Sequence, residues 1–303
     1  MLQLNTASGI ALGNLRSRKG FPPAWKTLAE LEQVTDRAVE AFLDERLQAS
    51  KQLGGVFLLE ELADRALRTG EQELMDGDRL NEREKLDLVR ALDRQNSFMQ
   101  IYPTLIGIVL PFALEAARRS GRDAHVLELA GGTGGFALAL AEKVRNEGLP
   151  VRITGSDIVP AYIGEAGKQA EDRQLPVEFI RLDALDPDGF GNNTVDADVI
   201  VVSQSLHHFT PGQIAVMIAR CAQQSPAAFI GIDGYRSLLL AAGVPFIASL
   251  QAIPSFAIDG LVSARKFYSE TELGIIAEIA AGKGSRSVSC SWPLSILCVH
   301  FGS

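Results

Sequence analysis

Residues 126–141 constrain the fold more than any other stretch of this chain. They read VLELAGGTGGFALALA, which is a short apolar strand, an acidic residue, a glycine-rich turn and an apolar helix. Such a turn lets the backbone approach a nucleotide-like ligand closely, and it directs the N–H groups at the start of the helix towards that ligand. Glu128, at the tip of the strand, would repel a pyrophosphate and attract a cationic ligand.

The turn by itself leaves the class of ligand open. Gly132, Gly134 and Ala137 also satisfy the dinucleotide pattern G-x-G-x-x-G/A. Asp157 follows at about the spacing of ~20 residues at which a ribose-binding acid is expected. The turn therefore fits NAD and S-adenosylmethionine about equally well, and a tight turn without any ligand is the remaining interpretation.

Polar residues follow three further predicted strands. These strands lie at residues 151–156, 177–182 and 198–203. Asp157 ends the first and can accept both ribose hydroxyls, whereas Asp183 follows the second and can accept the exocyclic amine of adenine. The third is followed by the run Gln204 to Phe209. Open parallel α/β sheets bind ligands at the carboxyl ends of their strands, so we expect these residues to line one crevice.

Together, these motifs resemble those of class I S-adenosylmethionine-dependent methyltransferases. The acid-and-glycine motif runs from Glu128 to Gly134, and Ala130 stands where the family usually has its first glycine. The resemblance covers about residues 96–303. It implies an α/β fold: a Rossmann-like doubly wound sheet with a C-terminal antiparallel hairpin, preceded here by an N-terminal helical region. It also implies S-adenosylmethionine as the cofactor and S-adenosylhomocysteine as its product.

The resemblance further implies which residues hold the cofactor. They are Glu128, Ala130, Gly131, Gly132, Gly134, Asp157, Ile158, Asp183, Ala184, Ser203 and Tyr102. Tyr102 is included because, in this family, the segment before the first strand commonly folds over the ligand. The Leu-His-His-Phe run at 206–209 is typical of the branch that acts on small molecules such as quinones, polyketides and lipids.

Two histidines are candidates for the general base. His207 and His208 follow the fourth strand, whose carboxyl end should face the sulfonium methyl. Imidazole can take a proton near neutral pH from a hydroxyl or an acidic carbon. A purely structural role for both is the alternative. Asp233 and Arg236 follow the fifth predicted strand, at 227–232, and could bind a polar group of the acceptor.

An apolar segment at 237–262 carries a single charged residue, Asp259. A membrane-spanning helix needs ~20 apolar residues with few breakers, whereas this run contains Gly243, Pro245 and Pro254. The segment therefore predicts two short helices that wall or cover the acceptor pocket, with Phe246 among the substrate-binding residues. A membrane-touching surface and a plain core position are the alternatives.

The sequence divides into three predicted regions. Residues 1–22 contain several glycines and few periodic apolar positions, which indicates an extended arm or a flexible tail. Residues 23–119 show helical periodicity and form a lid or a dimerisation region, so a homodimer is a further expectation. Within it, Asn81 and Glu84 predict a helix cap. Residues 120–303 form the cofactor-binding domain, in which a strand pair at 287–301 closes the sheet.

Composition excludes several function classes. The chain has 29 Lys and Arg against 37 Asp and Glu, a net charge of −8, so a nucleic-acid substrate is not expected. Its three cysteines and four histidines show no metal-ligand spacing, and the sequence predicts no metal. No N-terminal signal segment is evident, which predicts a cytoplasmic protein.

Three function classes follow. The leading one is methyl transfer from S-adenosylmethionine to an oxygen or carbon of a small, largely apolar acceptor such as a polyketide, quinone, aromatic or lipid-like metabolite. The second is a methyltransferase fold that uses the bound cofactor for a non-methylating step such as a cyclisation. The third is an NAD-dependent oxidoreductase, which Glu128 and the terminal hairpin disfavour.

Overall fold

The computed structural model describes residues 2–185, 196–224, 226–282 and 286–301. Over these residues the chain forms seven β-strands and eleven α-helices. These residues divide into two units. The first unit comprises Met1–Glu73, Leu206–Ala219 and Asp233–Val299. The second unit comprises Leu74–Ser205, Arg220–Ile232 and His300–Ser303. The division does not follow the boundary near residue 120 that the sequence suggests, because each unit is assembled from separate stretches of the chain.

The strands form one mixed sheet. They are β1 Ala124–Leu129, β2 Val151–Asp157, β3 Val177–Arg181, β4 Val199–Ser203, β5 Ala228–Gly234, β6 Arg286–Ser291 and β7 Leu294–His300. Their order is β3-β2-β1-β4-β5-β7-β6. The pairs from β3 to β5 are parallel, and β6 pairs with β7 antiparallel. The predicted doubly wound sheet with a C-terminal hairpin is therefore confirmed.

The helices alternate with the parallel strands and also precede them. They are α1 Asn5–Ser17, α2 Leu28–Leu53, α3 Gly55–Leu67, α4 Glu82–Phe98, α5 Ile101–Ser120, α6 Gly135–Glu147, α7 Pro160–Asp172, α8 Pro211–Gln223, α9 Leu238–Ser249, α10 Pro254–Lys266 and α11 Glu270–Ala281. A short 3-10 helix spans Leu206–His208. The predicted helical N-terminal region is confirmed, and Asn81 and Glu84 form the predicted capping box of α4.

The core of the second unit lies around β1 and β4. Both strands are buried along their whole length, as expected for parallel strands covered on both faces. Helix α5 packs against β1 and α6. It is the one helix of the described residues that is long and apolar enough to cross a membrane by length and composition. Its buried face, which includes Leu105, Val109 and Ala113, instead belongs to this core.

Residues 5–17 form helix α1 rather than the predicted extended arm. Ala7, Ala11 and Leu15 repeat at intervals of one helical turn and are buried, and α1 packs on α2 within the first unit. Gly9 and Gly13, which suggested an arm, have no other group within 4 Å of the place where a side chain would begin. The glycines therefore occupy the open side of the helix, where they interrupt the apolar pattern without interrupting the helix.

The apolar segment folds into two short helices, as predicted. Ser237 caps α9 by accepting the Leu240 N–H at 3.2 Å, and Pro254 begins α10. The two helices pack on each other. Large apolar side chains nevertheless remain exposed on this helix pair: Leu238, Leu239, Phe246, Leu250, Ile258 and Leu261.

A buried ionic network holds the first unit together. Asp64, at its centre, accepts the Arg236 Nε–H at 2.6 Å and the Arg68 Nε–H at 2.9 Å, and it also pairs with Arg46. Arg68 reaches on to Glu272 with two hydrogen bonds of 2.8 and 3.0 Å. Burial alone would raise the pKa of Asp64, but the three guanidinium groups outweigh it and lower that pKa. The network therefore joins α2, α3 and α11 through ionised groups.

We predict that Arg236→Met lowers the free energy of unfolding by about 3–5 kcal/mol, because it leaves the buried Asp64 carboxylate short of a partner. Urea denaturation followed by circular dichroism measures the change. Arg118→Met, at an exposed ion pair with Glu115, is the matched control and should stay within about 1 kcal/mol of the wild type. Equal stability of the two variants would contradict the structural role of Arg236.

Candidate functional site

The glycine-rich turn between β1 and α6 has the left-handed backbone that its sequence suggests. Ala130, Gly132 and Gly134 have φ of 51°, 58° and 77°. The turn is fixed by the Gly131 N–H, which donates to the Ser156 carbonyl at 2.8 Å. A Cβ at position 134 would overlap the Phe179 ring, so glycine is required there by both conformation and space.

Glu128 lies buried beneath this turn. Its Oε1 accepts a hydrogen bond from the Ser203 hydroxyl at 2.5 Å, and its Oε2 accepts the Ala137 N–H near the start of α6 at 3.2 Å. Burial raises the pKa of Glu128 to about 8, with Asp93 and Asp157 adding to the rise and the two hydrogen bonds opposing it. A cationic group bound nearby would favour the ionised carboxylate.

Asp157 ends β2 directly beside the turn. Its Oδ2 accepts the Gly132 N–H at 2.8 Å, and its Oδ1 accepts the Val159 N–H at 2.9 Å. These two backbone groups fix the orientation of the Asp157 carboxylate beside the turn. Ile158, the next residue, is 50% exposed, which is an unusual position for a large apolar side chain.

The two residues predicted to bind the adenine follow β3, next to β2. Asp183 follows β3 and accepts the Leu185 N–H at 2.9 Å, while Ala184 is buried. β3 is the direct neighbour of β2, and Asp157 pairs with Arg181 in register. The structure thus brings the acids after β1, β2 and β3 to the same edge of the second unit, as the strand order requires.

Asp93 on α4 belongs to this site, although the sequence analysis did not identify it. It accepts the Tyr102 hydroxyl at 2.6 Å and the hydroxyl of Thr133, in the turn itself, at 2.5 Å. Burial raises the pKa of Asp93. In the sequence, the only sign of this role is that Asp93 is an acid one helical turn after the buried Val89. Tyr102, which the sequence placed at the cofactor, therefore reaches the turn through Asp93.

A second polar contact connects the same helix with the end of β4. The side-chain amides of Asn96 and Gln204 exchange hydrogen bonds of 2.8 and 3.2 Å. Gln204 has a positive φ of 55°, an uncommon conformation for this residue type. The Ser205 hydroxyl also donates to the Ala130 carbonyl at 2.9 Å. Side-chain hydrogen bonds of both Gln204 and Ser205 therefore hold the segment that follows β4.

In the first unit, His207 is enclosed by two carboxylates. Its Nδ1 lies 2.9 Å from Oδ2 of Asp233, which also accepts the His207 backbone N–H at 2.8 Å. Its Nε2 lies 3.4 Å from Oε1 of Glu73. Burial alone would lower the pKa of His207, but Asp233 and Glu73 outweigh it and raise that pKa to about 10. The two carboxylates thus favour the protonated form of His207, and a general-base role for His207 or His208 stays a prediction.

The predicted acceptor-binding residues also have other partners. Arg236 is 1% exposed and donates to Asp64 and to the carbonyls of Arg265 and Phe267 at 3.0 and 2.7 Å. Asp233 is buried against His207. Both side chains thus have partners within the first unit, and their contact with the acceptor stays a prediction. Phe246 is 67% exposed on α9 and stays a candidate.

Comparison with family models agrees with this geometry. Residues 126–224 match the model of the methyltransferase domain. The search of curated proteins found no match.

Solved structures share the fold at low sequence identity. The plantazolicin methyltransferase BamL, in complex with a triazolic desmethylPZN analog and SAH, is 15% identical with a TM-score of 0.50, over 69% of this chain and 73% of that one. The plantazolicin methyltransferase BpumL is 10% identical with a TM-score of 0.51, over 71% and 91%. Magnesium protoporphyrin IX methyltransferase from Synechocystis PCC 6803 is 17% identical with a TM-score of 0.44, over 75% and 91%. Together with the strand order, the two plantazolicin methyltransferases confirm the resemblance to class I S-adenosylmethionine-dependent methyltransferases at the level of the fold.

We predict that Glu128 makes the protein less stable as the pH rises. Its folded-state pKa of about 8 lies above the 4.5 of an unfolded chain, so the folded state holds a proton that the unfolded state releases between these values. The free energy of unfolding should fall by several kcal/mol from pH 5 to pH 8, and Glu128→Gln should remove most of this loss. Urea denaturation at each pH measures it, with the exposed Glu171→Gln as control. Parallel pH profiles of the wild type and Glu128→Gln would be the contrary result.

Proposed function

We propose that this protein transfers a methyl group from S-adenosylmethionine to an oxygen or carbon of a small, largely apolar acceptor. The observation that carries the proposal is the edge of the second unit where Glu128, Asp157 and Asp183 surround a left-handed glycine turn. The match of residues 126–224 to the methyltransferase domain supports it. The two plantazolicin methyltransferases were crystallised with desmethylPZN analogs and SAH, which accords with a small acceptor.

The residues present fit this cofactor by their charge and exposure. Asp157, oriented by two backbone N–H groups at the end of β2, is a carboxylate of the kind that binds ribose hydroxyls. Ile158 offers an exposed apolar surface for the adenine ring, and Asp183 offers a carboxylate for its amine. Burial raises the pKa of Glu128, and a cationic neighbour would stabilise its ionised form. NAD would bring a pyrophosphate towards these carboxylates instead.

S-Adenosylmethionine supplies an already activated methyl group on a sulfonium, so the protein has to position the acceptor and exclude water. The contacts of Asp93 with Thr133 and Tyr102 hold the turn and α5 together. The Asn96–Gln204 pair fixes the segment after β4. These groups pre-organise the cofactor side of the site, and they need no proton transfer to do so.

Several apolar side chains of the helix pair α9 and α10 are exposed, including Phe246. That this segment binds the acceptor stays a prediction, as do dimerisation and a cytoplasmic location.

We predict that the protein binds S-adenosylmethionine and S-adenosylhomocysteine and that it does not bind NAD. Asp157→Ala should weaken binding of both by ~1.5–3 kcal/mol, because it removes charge-assisted hydrogen bonds to the ribose. Isothermal titration calorimetry measures these affinities. Asp172→Ala, at the exposed end of α7, is the control and should bind as the wild type does. Binding of NAD without either S-adenosyl ligand would overturn the proposal, and unchanged affinity in Asp157→Ala would remove Asp157 from the site.

We also predict that turnover converts the cofactor to S-adenosylhomocysteine and adds one methyl group to the acceptor. A screen of apolar metabolites with methyl-labelled S-adenosylmethionine, read by mass spectrometry, tests this. Label in the product identifies a methyltransferase. A changed acceptor with the cofactor intact would instead indicate a non-methylating reaction such as a cyclisation.

A further inference from the structure

The first unit contains a cluster of potential metal ligands that goes beyond the role of general base predicted for His207 and His208 and that the proposed function does not use. Glu73, His207 and His208 each offer one ligand atom, and these three atoms lie within 4.8 Å of one another. Glu73 and His207 are buried, and His208 is partly exposed. We propose that Glu73, His207 and His208 bind a divalent transition metal ion of the zinc type.

The spacing of the atoms fits a metal site. Zinc binds nitrogen and oxygen at ~2.0–2.2 Å in tetrahedral sites, which puts neighbouring ligand atoms about 3.3 Å apart. Nε2 of His207 lies 3.4 Å from Oε1 of Glu73, and Nε2 of His208 lies 3.9 Å from Oε2 of Glu73. Small side-chain movements would therefore bring all three atoms onto one ion.

Asp233 supplies the outer contact that metal-binding histidines usually have. Its carboxylate accepts hydrogen bonds from Nδ1 of His207, at 2.9 and 3.1 Å, and this fixes the imidazole ring with Nε2 towards Glu73. A carboxylate behind a histidine that binds a metal sets the tautomer and raises the basicity of the ligand nitrogen. The Phe267 ring, with its centroid 5.2 Å from that of His207, adds an apolar wall.

The nature of the ligand set indicates the metal. Two imidazoles and one carboxylate suit zinc and neighbouring transition metals, whereas calcium and magnesium prefer oxygen ligands. Three protein ligands are also the number found in catalytic zinc sites, where a water or a substrate group is the fourth. His208, the most exposed of the three, marks the side from which that group would approach.

Lys266 provides a direct test of this inference. Its Nζ lies 3.4 Å from Oε1 of Glu73, so its ammonium group competes with a metal ion for the same carboxylate. The site therefore predicts tighter metal binding once the lysine charge is removed.

The experiment is a calorimetric titration of the chelator-treated protein with Zn²⁺. Co²⁺ absorption spectra report the coordination geometry. All variants carry Cys290→Ser, because the exposed thiol would bind these ions as well. We expect one ion per chain and tetrahedral bands in the Co²⁺ spectrum.

The variants separate the proposed site from chance binding. Glu73→Gln and His208→Ala should each weaken Zn²⁺ binding at least ~10-fold, and Asp233→Asn should weaken it ~10–100-fold through His207. Lys266→Met should tighten it by about tenfold, since a like charge is removed. His300→Ala, at an exposed histidine in the second unit, should change nothing.

Binding that is absent, or that is equal in His208→Ala and His300→Ala, would overturn the inference. His208 is partly exposed, so its variant should fold even where Glu73→Gln does not, and circular dichroism checks this. The inference is independent of the proposed function, since metal binding is measured without cofactor or acceptor. Failure of S-adenosylmethionine binding would leave it untouched.

Discussion

The buried carboxyl group of Glu128 is the contact on which the candidate site depends. Through one side chain it joins three elements of the second unit: β1, which carries it, α6, whose Ala137 N–H it accepts, and β4, whose Ser203 hydroxyl it accepts. The glycine turn passes directly over it, and a Cβ at Gly131 would overlap its carboxyl group. Glycine at position 131 is thus required by the space that the acid occupies, in addition to the left-handed residues on either side of it.

The parallel part of the fold was predictable from the sequence because it depends on local signals. Each strand is a short apolar run that ends in a polar residue, and the order of such runs dictates a sheet whose acidic ends meet at one edge. The helix caps at Asn81 and Ser269 also have a local sequence signal, since each residue is followed three positions later by a glutamate. The extended arm predicted for residues 1–22 was wrong at residues 5–17. Two glycines on the open face of α1 hid the helical spacing of its few buried apolar residues.

The partners of the functional side chains were not predictable, because they come from distant parts of the chain. Nothing near Asp93 in sequence indicates that it meets Thr133, 40 residues later. His207 has the sequence context of a base, but its protonation is decided by Glu73 and Asp233, which only folding brings to it. Arg236 likewise has the sequence position of a residue that binds the methyl acceptor, yet it donates to the Asp64 carboxylate in α3.

The buried acids of the Asp64 network and those around the glycine turn differ in their partners. In the first unit, guanidinium groups accompany Asp64 and Glu272, and Arg68 and Arg236 lower the pKa of Glu272 to about 2 against the effect of burial. In the second unit, burial dominates, and the pKa values of Glu128 and Asp93 are raised. Carboxyl groups of the first kind are already neutralised by protein cations and serve stability. Those of the second kind hold protons that a cationic ligand can displace, which is the property expected of a site for a sulfonium with a free ammonium group.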